Sequence, residues 1–588
     1  MTTLFYRLGG LSSRAYSASA TLRSSRPIAS KSGGSLKTPS LAIPSRSFSS
    51  AKGLRRTRPP IPRRVHAGVV AAGSLLVAAS LFGGHAAHDE SPNVTESKHY
   101  IRLNEVKKHG KDSERKWVTK GVRVFDVTDW IAAHPGGPVI LQAVGGAIDK
   151  YWDIFSIHKK QDVYDVLEEY FIGEIDPRDL VDGKLSEDKV EDPFVSDPSR
   201  DPRLQQHTAK PCNAETPSSC LGDFITPTEI FYVRNHLWVP QVDEETHVLN
   251  VELPDGTEKQ YTLSDLKSRF KPFSVTATLQ CTGNRRKHMS DNAKAATGLQ
   301  WEAGAISNTE WTGVRLTDLL EDAGFPVNDW NFDEAKHVHF IGSEAYAGSI
   351  PIAKAVDPQG DVILAYEMGG KPLSRDHGYP LRALVPGHTA ARSVKWLEKI
   401  VLAEDECQSA WQQRDYKCFG PNQTPKDVDY ASAPAIQEMP IQSAITALKS
   451  ISSTSDKGRA ELQRLGLEED AIKVEGYAYS GGGRRIIRVD ISADDGQSWS
   501  QAAILPDQAL GHKSWSWKRW ESVIPKRLAG KSFVVKAVDD SYNNQPESYG
   551  AQYNFRGNLV NAWHRVRYGD EERAEDVDVG ERHVRSTK

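Results

Sequence analysis

Two groups of residues in this 588-residue chain have the type and spacing that hold redox metals. His134 opens the run His134-Pro135-Gly136-Gly137, and His158 lies 24 positions further on. Axial ligation of a haem iron needs two imidazoles aimed from opposite walls of an apolar slot. Pro-Gly-Gly directly after a histidine turns the chain sharply, so that the ring faces inward from a loop. Phe125, Trp130, Val139, Ile140, Leu141, Trp152, Phe155 and Ile157 supply apolar walls on either side of the pair. Taken alone, HPGG is equally compatible with an exposed or an ordinary core imidazole. The second group is Leu279-Gln280-Cys281-Thr282-Gly283-Asn284-Arg285-Arg286, one cysteine beside two guanidiniums. Nearby cations favour the thiolate, which is the nucleophile and the soft ligand for a redox metal. No CxxC partner or adjacent histidine accompanies it, which argues against zinc. A buried structural cysteine is the alternative.

Three folded blocks must position these residues. The first, 98–177, mixes short strands (WVTKGVRVFDVT) with helical stretches (PVILQAVGG and VYDVLEEYF). An acidic, proline-containing segment, 178–202, follows and reads as a flexible linker. The second block, 203–431, alternates strand-like and helix-like segments. The third, 432–570, has short β-branched strands at regular turn spacing, the pattern of a β-sandwich. Its glycine run Tyr479-Ser480-Gly481-Gly482-Gly483-Arg484 lacks the Gly-Lys-Ser/Thr of a phosphate loop and reads as a hairpin turn. The tail, 571–588, is highly charged.

The ends of the chain differ sharply in charge. Residues 1–88 contain thirteen Lys or Arg and no Asp or Glu, and removing them takes the formal net charge from −3 to −16. An Arg- and Ser-rich, acid-free start is the composition of a mitochondrial presequence. The apolar run 65–84 is marginal for a bilayer core of about 30 Å. Together they predict delivery to the intermembrane space, with inner-membrane association only through 65–84. A disordered basic tail before a permanent anchor is the other reading. The acidic remainder argues against nucleic acid and suits a basic protein partner. A mean hydropathy of −0.52 excludes a multi-pass membrane protein. Five cysteines exclude a disulfide-scaffolded secreted one. Cys212 and Cys220 are compatible with a small disulfide or with two reduced thiols.

The first block, through WVTKGVRVFDVTDWIAAHPGG, the spacing of His158 and YDVLEEYFIGEI, resembles the cytochrome b5 family. That resemblance implies a six-coordinate haem b on His134 and His158. The rest resembles the sulfite oxidase family of molybdopterin oxidoreductases. The residues that carry it are Phe231–His236, the Cys281 segment, Gly298-Leu299-Gln300-Trp301, Gly304-Ala305-Ile306-Ser307, Arg375–Arg382, Ser393–Trp396 and Arg414–Lys417. Ala433-Pro434, Pro440–Ser443 and Asn561–Arg565 resemble the family's immunoglobulin-like dimerisation domain, which implies a homodimer. The expected fold is therefore multidomain α+β: a cytochrome b5-like haem domain, a mixed α/β molybdopterin domain and a C-terminal immunoglobulin-like β-sandwich.

The resemblance also implies roles. Cys281 corresponds to the protein thiolate on molybdenum. Tyr232, Val233, Arg234, Asn235, His236, Glu344, His377, Arg382, Ser393, Val394 and Lys395 correspond to positions that hold the pterin and its phosphate, an anionic group suited to cations and backbone donors. Relatives carry Asp where Glu344 aligns, and the loop after it is shorter here. Arg234, Arg286 and Arg556 would gather a small oxyanion, sulfite, against a field of the wrong overall sign. Trp301 and Tyr416 would complete that pocket, with Asp415 holding its edge. Electrons would then pass singly through the haem to cytochrome c, with 175–202 letting the haem block swing. Two alternatives stand beside this. Nitrate reductases share the fold, but carry their haem module after the dimerisation domain, and Met and Asn at the positions of Arg556 and Tyr416. A non-catalytic haem electron-transfer protein is the other.

Overall fold

The computed structural model describes residues 99–134, 137–159, 161–185, 192–328, 334–343 and 346–568. The presequence with its apolar run 65–84, Glu344 and the tail 571–588 lie outside the described residues.

In the first block, alternating apolar residues make the short strands Trp117–Lys120 and Arg123–Asp126, which fold back on each other at Gly121. Phe171–Ile175 and Tyr100–Ile101 extend them to a four-stranded sheet. Val118, Phe125, Trp152 and Leu167 close a small core over one face. The stretch expected to be helical after His134 forms only a 3-10 turn, Gly137–Gln142, and stops before Gly145, whose φ of +82° no helix admits.

The second block holds two five-stranded sheets. One is built on Phe273–Gln280, Ile306–Arg315 and Ile363–Met368, all antiparallel. The other places Leu397–Ala403 between His337–Gly342 and a parallel partner, Val248–Glu252. Leu316–Ala323 packs its apolar face between the sheets and ends at Gly324 in the left-handed region. A small third sheet, Gln205–Thr208, Asn213–Glu215 and Val233–Arg234, carries Arg234.

The third block is a sandwich of two four-stranded antiparallel sheets. One orders Gln442–Ile451, Ala471–Tyr479, Lys518–Pro525 and Ala503–Ile504; the other orders Ser500–Gln501, Ile486–Ser492, Ser532–Asp539 and His564–Arg567. The glycine run after Tyr479 is therefore not a hairpin turn. Ala471–Tyr479 and Ile486–Ser492 lie in different sheets, and the run is the crossover between them. It lies close on the second block: a Cβ on Gly481 would come within 2.5 Å of the Gly387 carbonyl oxygen. The two blocks share a core of Leu221, Ala303, Ile306, Met439, Tyr477 and Trp517. The Thr278 hydroxyl also accepts the Trp517 N–H at 2.8 Å.

The described end of the acidic segment is fastened to the second block. Pro193–Ser196 forms a 3-10 turn, capped by the Asp192 carboxylate on the Phe194 N–H at 2.9 Å. Arg200 grips both oxygens of Asp376 at 2.9 Å. Of the five cysteines, none is paired in a disulfide.

Candidate active site

Cys281 directly follows the edge strand Phe273–Gln280, and its N–H is fixed by the Ala305 carbonyl at 3.0 Å. The chain then turns through Gly283 and Asn284, so the thiol sits where two cavities meet. The larger, about 650 Å³, is lined by Tyr232, Arg234, His236, Cys281, Thr282, Tyr346, His377, Arg382, Thr389, Ser393, Val394, Lys395 and Tyr416, among others. The smaller, about 450 Å³, is lined by Arg234, Cys281, Thr282, Arg286, Thr297, Gly298, Leu299, Trp301, Asp415, Tyr416, Arg556 and Asn558. Arg234, Cys281, Thr282 and Tyr416 belong to both. The three arginines singled out from three distant segments thus meet around one thiol.

Of the two arginines after Cys281, only one stays in the cavity. Arg285 takes a left-handed φ of +66° and swings away, donating to the Ser443 and Ala562 carbonyls and to the Tyr549 hydroxyl. It is buried and binds the third block to the second. Arg286 begins the helix Arg286–Asn292 and is locked by three acceptors: the Arg556 carbonyl at 2.8 Å, the Leu299 carbonyl at 2.8 Å and Asn558 Oδ1 at 3.0 Å. Its stem and head run between three glycines, Gly283, Gly298 and Gly557; a Cβ on Gly557 would meet its Cγ at 2.6 Å. Burial, with Arg556 and Arg234 nearby, pushes its pKa down to about 10, which leaves it charged at neutral pH. Arg556 is held by Asp415, whose carboxylate accepts its Nη2 at 2.6 Å.

A one-turn π-helix, Trp411–Asp415, delivers Tyr416 into both cavities. Such turns concentrate at functional sites. The Tyr416 hydroxyl and His236 Nε2 share a hydrogen bond of 2.9 Å. Burial raises the pKa of the phenol and lowers that of the imidazole well below its usual value, so both are neutral. Burial likewise takes His377 down to about 4. Arg382, also pushed down by burial to about 10, donates to the His377 and Ser393 carbonyls.

Two residues expected at the cofactor lie behind the larger cavity. The Val233 side chain packs with Leu204, Cys212 and Ile230. Asn235 donates to Asp376 at 2.9 Å and accepts from the Lys395 ammonium, bracing that lysine.

Sequence reasoning missed several supports. Asn558 accepts from Thr282 and Arg286 and donates to the Asp415 and Lys417 carbonyls, tying four segments together. Its place two residues after Arg556 was the available signal. Tyr346 packs at a tilt against His236 at 4.8 Å and Trp411 at 4.6 Å. Buried Glu215 accepts the Glu302 and Gly304 N–H groups and the His207 ring, whose edge meets Trp301. Nothing local in the sequence marks Tyr346 or Glu215.

The larger cavity fits a phosphorylated cofactor. Arg234, Arg382 and Lys395 give it cationic walls, and the Thr389 hydroxyl is a buried donor with no partner in the protein. In the first block, the rings of His134 and His158 lie with centroids 6.2 Å apart, tilted by 42°. As neighbouring imidazoles they are the residues that would hold a haem iron. Trp152 stacks on His158 at 4.8 Å, and burial lowers the His158 pKa, keeping it in the neutral form a metal needs.

Three family models match along the chain: a cytochrome b5-like heme/steroid binding domain at 102–176, an oxidoreductase molybdopterin binding domain at 236–411, and a Mo-co oxidoreductase dimerisation domain at 433–570. Sulfite oxidase of Gallus gallus is 44% identical over 470 residues, covering 78% of this chain and 98% of that one. The mitochondrial sulfite oxidase of Homo sapiens is 41% identical over 482 residues, covering 80% and 84%. A nitrate reductase of Hordeum vulgare is 35% identical over 399 residues, but only 44% of its length is covered. The chain belongs to the sulfite oxidase family, as a multidomain oxidoreductase with a cytochrome b5-like block ahead of its molybdopterin and dimerisation domains.

Proposed function

We propose that this chain oxidises sulfite to sulfate at a molybdenum–pterin group that Cys281 would hold, and sends the two electrons singly through its haem block to cytochrome c. The observation that carries the reading is the meeting of Arg234, Arg286 and Arg556 in one small chamber that opens on the Cys281 thiol. Guanidiniums offer planar, paired donors to an oxyanion. Arg286 is already fixed by three acceptors, so its charge needs no reorganisation when the anion arrives. Asp415 fixes Arg556 in the same way and lowers the net positive charge at the chamber's edge. Tyr416, protonated, donates to a bound oxygen while His236 holds its other side. Trp301 closes a buried wall.

Tyr232, Arg234, His236, His377, Arg382, Ser393, Val394 and Lys395 would hold the pterin, with Cys281 on molybdenum; Val233 and Asn235 support that cradle from behind. Bound there, the molybdenum–pterin group supplies the oxygen transfer and two-electron chemistry that side chains lack. His134 and His158 would hold the haem, and 98–177, 203–431 and 432–570 are the working domains.

The protein is mitochondrial, as its relatives from human, mouse and fruit fly are named. The basic, acid-free start followed by the apolar run 65–84 supports the intermembrane space. There the acidic remainder would meet a basic acceptor such as cytochrome c. The dimerisation domain supports a homodimer.

Metal analysis of the purified protein, with sulfite-dependent reduction of cytochrome c, tests the reading. Molybdenum and haem in equal amounts, with turnover on sulfite and none on nitrate, are expected. Protein loaded with both groups but inert to sulfite overturns it.

A further inference from the structure

The end of the acidic linker is fastened to the second block at several points. The Ser196 carbonyl accepts Arg375 Nη1 at 2.7 Å, and Asp197 accepts the Val239 N–H at 2.9 Å. Arg200 bonds to Asp376, which also receives Asn235 from behind the larger cavity. Asp192 pairs with Lys210. In this bracket Phe194 is 5% exposed, whereas its neighbour Val195 is 83% exposed.

Phe194 is buried because it lies between two blocks. On one side its ring meets Phe155 of the haem block edge-on, with centroids 5.3 Å apart. On the other it meets Trp238 of the second block at 6.3 Å. Leu237, Val139 and Ile154 complete the apolar seat. Phe155 lies 5.7 Å from the ring of His158, and Trp238 follows two residues after His236 in the larger cavity. The contact thus joins the haem-ligand side of the first block to the cofactor side of the second.

We infer that Phe194 is a positioning residue for electron transfer: fixed to the second block by its bracket, it seats the haem block so that the face bearing His158 is presented to the cavity at Cys281. This rests on the assignment of haem and molybdenum above, but not on sulfite as the substrate. A small apolar contact centred on one ring can be remade at each docking, which suits a block that must also release its electron outward.

The test uses the full-length holoenzyme. A photochemical donor reduces the haem in a flash, and the electron's passage to the molybdenum site is followed by haem absorbance, without sulfite. Phe194→Ala is expected to slow that passage about tenfold, with the haem spectrum, haem midpoint potential and molybdenum content unchanged. Phe194→Leu, which keeps most of the apolar volume, is expected to lose about threefold, and Val195→Ala to behave as wild type. Wild-type transfer rates in both Phe194 variants overturn the inference. Loss of sulfite turnover in the wild type, with transfer intact, would instead overturn the substrate reading alone.

Discussion

The haem block draws its two histidines from one short stretch, whereas the cavity at Cys281 is gathered from the whole second block and part of the third. His134 and His158 are 24 positions apart and share one small core with Phe125 and Trp152. Arg234 and Arg556 stand at opposite ends of two blocks and meet only because the sandwich packs on the second block. A local site stands or falls with its own core. A gathered site depends on every joint between its contributors, so it is open to changes that touch no ligand at all.

Changes at the Cys281 cavity should therefore leave the haem block untouched, and the largest effect comes from the thiol itself. Cys281→Ser is expected to reduce sulfite oxidation to background while the haem absorption spectrum remains that of the wild type; residual activity near the wild-type level would show that the thiol has no part. Next is Arg286→Gln, which removes a fixed charge from the smaller chamber. Losing one preorganised electrostatic group costs roughly 10²–10³ in rate, read here as kcat/KM for sulfite. Smaller still, and more telling for the comparison, is Gly557→Ala. The new methyl would overlap the stem of Arg286 and sit on a left-handed φ of +55°. A drop of about tenfold, the equivalent of about 1.4 kcal/mol, is expected in kcat/KM, from a residue that carries no charge and bears no functional group.

A different readout of the second block is stability against pH. His377 titrates near 4, and His288 and His388 near 3, because burial disfavours their charged forms. Unfolding releases them to about 6.5. Between these values the unfolded chain binds more protons, so stability is full above about pH 6.5 and falls as the pH drops towards 4. Each histidine contributes at most about 1.4 kcal/mol per pH unit in that window. Thermal unfolding of the molybdenum-block transition should shift down between pH 6.5 and 5, and stay level between pH 7 and 8.

Much of both sites is legible in the residue order. A histidine before Pro-Gly-Gly and a cysteine beside two arginines are marked by their immediate neighbours, whereas Arg556 is expected at the site only through the resemblance to the sulfite oxidase family. What the order hides is direction and distance. Arg285 and Arg286 look equivalent beside Cys281, yet the left-handed turn at Arg285 sends one guanidinium into the third block and leaves the other in the cavity. The glycines after Tyr479 read as a hairpin because strand spacing alone does not tell which sheet the next strand joins. The acidic segment after the haem block reads as loose by composition. Its end is nevertheless held, because Lys210 just beyond it and Arg375 and Asp376, far away in sequence, supply the partners. Asn558 is hinted at only by its place two residues after Arg556, and nothing in the neighbourhood of Glu215 announces the loops it organises.

The wall that the third block lends to the smaller chamber has a consequence for assembly. The haem block is complete by about residue 176, but Arg556 and Asn558 lie hundreds of residues later. Blocks of this kind fold as units. The first block has its own core and closes by itself, whereas the smaller chamber lacks a wall until the last sandwich docks.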